Sequence, residues 1–508
     1  MPKRSVGRTT GSALMVGALL VASACSSEGG GSASPQGDAT LVFGVPQPPN
    51  SLDPAELHDG VQRYVWGALF DTLLYLDHEG ELQPAAAESW EYSDDALTLT
   101  LHLRDDLSFS DSEPVRAEDV RGTLERTRTT PGPQQGNLSA IDSIEVPDDH
   151  TVVLNLSEPD DNLLTSLAQA AGVVGDPETL DDPQTQLNPV GSGPYTLNAD
   201  QTDDGVVYVL DRRDDHWNAE EYPFETVTVR PITDQTARFN AMIAGELDAA
   251  TVNGELAERA VDAGLSLTEV EGASLAQIVL ADRDGEVVPA LGDVRVRQAI
   301  NMALDRAGMV ESLNYGFGVP TAQVFNPLSS AYLPEGEQAY PYDVEAAREL
   351  MAEAGYGDGF TLAMPANVMS MQFQATLSQA FADIGITLQW DPVPAQSSGQ
   401  STDWAAYWNI GGAAPSSRVV AQYFAPEGSN NPFGSSDPEL NELIEDVAAE
   451  VDLGEADELY SRINQFGIDN AWFSPALWLD TIWATVEGVE YVGSALSMQD
   501  LRVFDVSE

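Results

Sequence analysis

Five histidines, His58, His78, His102, His150 and His216, are the first candidates for chemistry, and no two of them stand at metal-ligand spacing. Asp282-Arg283-Asp284-Gly285-Glu286 begins like a calcium loop but lacks the later positions of that motif, so its reading is a glycine turn. Neither Gly-x-Ser-x-Gly nor His-Glu-x-x-His occurs. With 82 acidic residues, close Asp/Glu pairs arise everywhere and say little about a glycosidase pair. Lys3 is the only lysine, which removes Schiff-base enzymes, pyridoxal enzymes and lysine-bearing phosphate loops from the folded part. Any buried cation there must be an arginine. No metal and no cofactor is expected.

The charge balance, 82 acidic residues against 22 basic, excludes nucleic acid as a partner, because phosphate binding needs Lys/Arg patches. The acids are spread along the chain, in runs such as Asp203-Asp204 and Asp214-Asp215, and describe a solvated acidic surface. Salt would screen its self-repulsion, so a saline habitat is the expectation. A chain of 508 residues is too long for one core and should form two or three domains.

The start of the chain places the protein outside the cytoplasm. Lys3, Arg4 and Arg8 precede an apolar run that ends in small residues at Cys25, the single cysteine. This resembles a bacterial lipoprotein signal, with residues 1–24 removed and Cys25 carrying the lipid. Ala22 departs from the Leu that the pattern prefers, and an ordinary signal peptide with a chance cysteine is the rival reading. Residues 25–38 are Ser/Gly-rich and should be a flexible tether. The expected location is the outer face of the cell membrane, anchored through Cys25. No later apolar run is long enough to span a bilayer.

Behind that start, helices and strands alternate, which argues for α/β layers. Residues 39–45 read as a strand, stopped by Pro46, Pro48 and Pro49. Val61, Val65, Leu69 and Leu73 predict a helix over about 60–75. Leu97, Leu99, Leu101 and Leu103 alternate with polar residues as a half-buried strand, and Trp90 and Tyr92 lie across an Asp94-Asp95 turn from it. Asp293 and Asp343 stand where helix caps belong, and Gly355 stands at a helix stop.

Several segments then fall into a known order. Phe70-Asp71-Thr72-Leu73-Leu74, Pro84 to Trp90, Gly191-Ser192-Gly193-Pro194-Tyr195, His216-Trp217-Asn218, Gly245-Glu246-Leu247-Asp248, Val296 to Ile300 with Asp305-Arg306, and Tyr342 to Leu350 together resemble the family 5 solute-binding proteins. These are the extracytoplasmic receptors of peptide, nickel and related ABC importers. The resemblance covers roughly residues 40–500. It implies a bilobal α/β fold of the type II periplasmic-binding-protein class with an extra subdomain in the first lobe. The implied boundaries are 39–55, 186–268 and 486–508 for the first lobe, 56–185 for the subdomain, and 269–485 for the second lobe. It further implies a monomeric receptor, not an enzyme, that binds a small solute, peptide or peptide-like, and hands it to permeases with their ATPases. A surface-tethered hydrolase and a sensor or scaffold without a transporter remain as alternatives.

The same resemblance suggests which residues meet the ligand. In peptide-binding members an acid on the second lobe pairs with the peptide amine. The corresponding stretch here, Tyr407 to Pro415, has no acid and offers Asn409. An amide cannot offset a buried ammonium as a carboxylate does. Trp408 and Asn409 are the leading contacts, against a core and a turn role. Arg418 is set to pair with a substrate carboxylate or to form a surface ion pair. Tyr64 on the first helix and Asn50 on the first loop complete the set, against packing and a plain turn.

Overall fold

The computed structural model describes residues 39–184, 186–394 and 400–507. Cys25 and the tether after it lie outside the described residues. Nine strands form the largest sheet. Its order runs Ala406–Gly412, Ser266–Leu280, Ser474–Thr485, Ala249–Val252, Thr40–Val45, Thr226–Pro231, Tyr208–Arg212 and Tyr195–Leu197, with Val319–Pro320 added against Ser474–Thr485. Thr40–Val45 lies parallel to both of its neighbours. The other pairs are antiparallel.

Two strands are far longer than the rest: Ser266–Leu280 has 15 residues and Ser474–Thr485 has 12. One half of this pair is continuous with Ala249–Val252 and the first lobe, and the other with Ala406–Gly412 and the second. Between the halves the register slips, because Val270 faces Thr481 while Ser274 faces Leu479. A bulge of this kind bends a strand and breaks its ladder locally. Gly272 sits in the bulge at φ 68°, a conformation that a side chain resists.

Each lobe fills its own core. Phe43, Tyr64, Trp66, Tyr195 and Val229 pack in the first. In the second, the parallel pair Phe360–Ala366 and Ile386–Pro392 and the helices Val294–Met302, Val344–Glu353 and Gln374–Asp383 enclose Ile300, Leu362, Phe373 and Phe381. The helices Pro438–Ala449 and Leu453–Asp469 cover the opposite side of the sheet with Leu443, Val447 and Ile463. A third core lies under a four-stranded antiparallel sheet, Ala87–Tyr92, Thr98–Leu103, Thr151–Leu156 and Ile141–Asp148, where Leu99, Leu101 and Leu103 point inward.

The caps read from the sequence are present. Asp293 Oδ1 accepts from Arg295 N and Asp343 Oδ1 from Ala346 N, and Gly355 ends the helix at φ 88°. The first helix is shorter than its periodicity predicts. It spans Arg63–Leu69 and stops at an extended Phe70. Leu73 therefore packs in the subdomain core, because the chain leaves the first lobe there.

The Gly191–Tyr195 segment shows why the chain turns where it does. A Cβ on Gly193 would stand 2.5 Å from Leu69 C and Phe70 N, so only glycine lets the two backbones meet. Asp71 N donates to Ser192 Oγ (3.1 Å), and His216 Nε2 lies 3.1 Å from Asp71 Oδ1. Arg213 is buried and donates to the carbonyls of Ser108, Phe109, Ser192 and Gly193. This knot fastens the subdomain to the first lobe.

Candidate ligand cleft

Ligands of α/β sheets bind beyond the carboxyl ends of parallel strands. A cavity of about 370 Å³ opens there, at Val45-Pro46 and Val252-Asn253. Ala273, Ser274, Asp480 and Trp483 of the long strands close another side, and Gly412 reaches it from the second lobe. The cavity therefore lies where the strands change lobes. Trp483 stacks on Tyr491 (4.8 Å between ring centroids, 13° between planes), and Tyr64 meets Trp483 edge-on at 6.1 Å. All three rings line the cavity and give it an aromatic wall.

Asp480 is half-buried on that wall, and Gly272 N donates to its Oδ1 (2.9 Å). Burial and the neighbouring Glu269 and Glu271 hold its carboxyl well above the usual aspartate range.

A larger cavity, about 1010 Å³, lies between the subdomain and the second lobe. Trp90, Tyr92 and Asp161 face Ser416, Ser417 and Tyr460 across it, and Ser494 lines both cavities. Among the described residues, two polar contacts cross this gap and a third joins the same parts beside it. Thr165 Oγ1 and Ser417 Oγ are 2.9 Å apart, Tyr460 Oη donates to Asp161 Oδ2 (2.7 Å), and Arg418 Nη2 lies 3.7 Å from Asp59 Oδ2. Burial pushes Asp161 up to about 6 although the Tyr460 bond opposes it.

Of the five expected contacts, Tyr64 alone lines the smaller cavity. Trp408 is fully buried, 4.5 Å from the ring of Phe373, in the core of the second lobe. Asn409 is buried on the opposite face of the same strand, with Nδ2 3.5 Å from Tyr423 Oη. Both faces of that strand are covered by helices, so only its glycine end reaches the cleft. Arg418 pairs with Asp59, and the exposed Asn50 donates its backbone N–H to Gln62 Oε1 (3.0 Å). Asp480, Trp483 and Tyr491 did not emerge from the sequence. The available signal was a single acid inside the apolar run Phe473 to Trp483.

The model of the bacterial extracellular solute-binding proteins, family 5, matches residues 81–436, more than half of the chain. The chain belongs to this family. Heme-binding protein A of Haemophilus influenzae is 29% identical to it over 360 residues, 63% of each chain, so the match spans less than two thirds of that relative. The glutathione-binding protein GsiB of Salmonella typhi is 28% identical over 358 residues, 69% of this chain and 68% of its own. The ABC transporter-associated periplasmic binding protein DppA of Helicobacter pylori, solved with the peptide STSA, superposes with a TM-score of 0.78 at 21% identity, over 93% of this chain and 98% of its own. The fold of this family 5 protein is thus the type II periplasmic-binding class. Among the described residues no group of His, Cys, Asp and Glu is arranged to hold a metal ion, and no helix is long and apolar enough to cross a membrane.

Two expectations follow. Trp408→Ala should cost about 3–5 kcal/mol of stability by leaving a core cavity. A denaturant midpoint equal to wild type would return Trp408 to the list of exposed, ligand-facing residues. Asp161 sits at about 6 when folded against 3.8 when exposed, so its contribution to stability is complete below about 4 and is lost as pH rises through about 6. Asp161→Asn keeps an acceptor for Tyr460 and should flatten the fall in melting temperature across that window. Parallel wild-type and variant curves would contradict this.

Proposed function

We propose that this chain is an extracytoplasmic receptor, tethered by a lipid on Cys25, that closes its lobes on a small solute and delivers it to the permeases and ATPases of an ABC importer. The observation that carries this reading is the cavity at the carboxyl ends of Thr40–Val45 and Ala249–Val252, bounded on its other side by the strands that join the lobes. Its volume of about 370 Å³ lies in the small-molecule range. Family membership supports the transport role. The names of the relatives, which bind heme or glutathione, and of the structure solved with a peptide, support a solute of peptide-like size.

The reading includes a first lobe of 39–55, 186–268 and 486–508, a subdomain of 56–185 and a second lobe of 269–485. Separate hydrophobic cores support a division into three parts, although Leu57, Tyr64, Trp66 and Phe70, inside the proposed subdomain limits, pack in the first-lobe core. It also holds that the monomer releases its solute unaltered. The cavity wall supports this, since it pairs no serine or aspartate with a histidine base.

A bound solute raises the melting temperature by mass action, by about 2.7 kcal/mol of stability at a hundredfold excess over Kd. The protein, unfolded and refolded to strip it, should melt higher in the dialysable fraction of yeast extract. The solute recovered from it should keep its mass. An unchanged midpoint, or a recovered product of altered mass, contradicts the receptor. For the tether, Cys25→Ser should move the protein from the membrane fraction to the medium or periplasm, and retention in the membrane would contradict lipidation.

A further inference from the structure

The wall of the smaller cavity carries one acidic side chain. Asp480 projects there among Tyr64, Trp483, Tyr491, Asn253 and Gln499, and no arginine or histidine shares the lining. Among the described residues no arginine or histidine forms an ion pair with it either. The arginines are committed elsewhere: Arg213, Arg297 and Arg306 to backbone carbonyls, Arg418 to Asp59 and Arg502 to Asp500.

From this geometry, and resting on the receptor reading above, we propose that the solute presents a positively charged nitrogen to Asp480, with the Trp483–Tyr491 wall beside it. A carboxyl half removed from water needs a cationic or donating partner, and the protein supplies the Gly272 N–H and a hydrogen bond shared with the acidic Glu269, but no cation. A ligand ammonium or guanidinium supplies the rest through a charge-assisted hydrogen bond. The rings of Trp483 and Tyr491 lie on the same wall. Glu269 and Glu271, which already disfavour the Asp480 charge, deepen the demand for a cation. A formal net charge of -60 draws cations toward the cleft and repels anions. The acid absent near Asn409 is thus met from a different strand, on the hinge rather than on the second lobe.

The test divides the dialysable yeast-extract fraction on a sulfonic-acid resin under mildly acid conditions, with EDTA present to remove metal ions. The retained, cation-bearing pool should raise the melting temperature of the full chain, and the flow-through should not. Asp480→Asn keeps an acceptor for Gly272 and relieves the repulsion with Glu269, so its ligand-free midpoint should be no lower than wild type at neutral pH. Its apparent affinity for the retained pool should fall about ten- to a hundredfold, the scale of a hydrogen bond to a charged group. A flow-through pool that stabilises as well as the retained one overturns the cation while leaving the receptor intact. An Asp480→Asn variant that binds unchanged does the same. If neither pool shifts the midpoint, the receptor reading falls and this inference falls with it.

Discussion

Two strands belong to both lobes, and the rest of the molecule is arranged around that fact. Ser266–Leu280 and Ser474–Thr485 are paired along nearly their whole length, except where residues 271–273 bulge opposite Asp480 and where the register slips by one residue between Ala276 and Gln277. A continuous ladder resists bending, because every backbone donor is spoken for. A bulge concentrates the bend at one place. Here it falls at the wall of the cavity, so whatever fills the cavity touches the bulge. The Gly272 N–H, freed from the ladder by the bulge, is taken by Asp480.

Away from the hinge, rigidity comes from arginine. The folded chain has no lysine, and its buried cations serve as clamps on carbonyl groups. Arg297 donates to the carbonyls of Leu291, Asn470 and Ala471, and Arg306 to those of Asn301, Tyr340 and Pro475. Both therefore sew the helices after Gly292 to the chain that enters the second long strand. The planar fork suits this use, since its five donors reach several acceptors at once. Burial lowers Arg306 to about 10, still charged at neutral pH. Arg213 does the same between subdomain and first lobe. The receptor reading proposed above takes the lobes and the subdomain as stiff bodies that turn about the bulge.

These clamps explain what was legible in the sequence. The segments that carried the family resemblance contain Ser192, His216, Asp248, Arg297 and Arg306, which the structure ties into backbone, and Asp71, whose carboxylate meets the side chains of His216 and Trp217. Asp248 Oδ2, for example, accepts from Val42 N at 2.8 Å and locks two strands together. Such residues are readable because a carbonyl clamp, a cap or a close glycine contact tolerates few side chains. Alternating Leu99, Leu101 and Leu103 were readable for the same kind of reason, one dry face and one wet. The cleft was not. Trp408 and Asn409 sit where the chain approaches the site, but a strand covered on both faces hides its middle and offers only its end. Tyr64 emerged from its helix, while Asp480, Trp483 and Tyr491 are brought together with it by pairing between distant segments, which no local spacing announces. The short first helix failed the periodicity for a related reason, because Leu73 serves a different core.

The central claim is that the lobes move about the bulge when the cavity is filled, and the single native cysteine makes this directly measurable. In a Cys25→Ser background, spin labels on Cys substituted at exposed Val206 of the first lobe and exposed Val368 of the second report the distance between lobes. The account predicts a broad or long distance distribution in the stripped protein and a shorter, narrower one in the dialysable yeast-extract fraction. The same distribution in both, under conditions where the melting temperature shows that solute is bound, would contradict it.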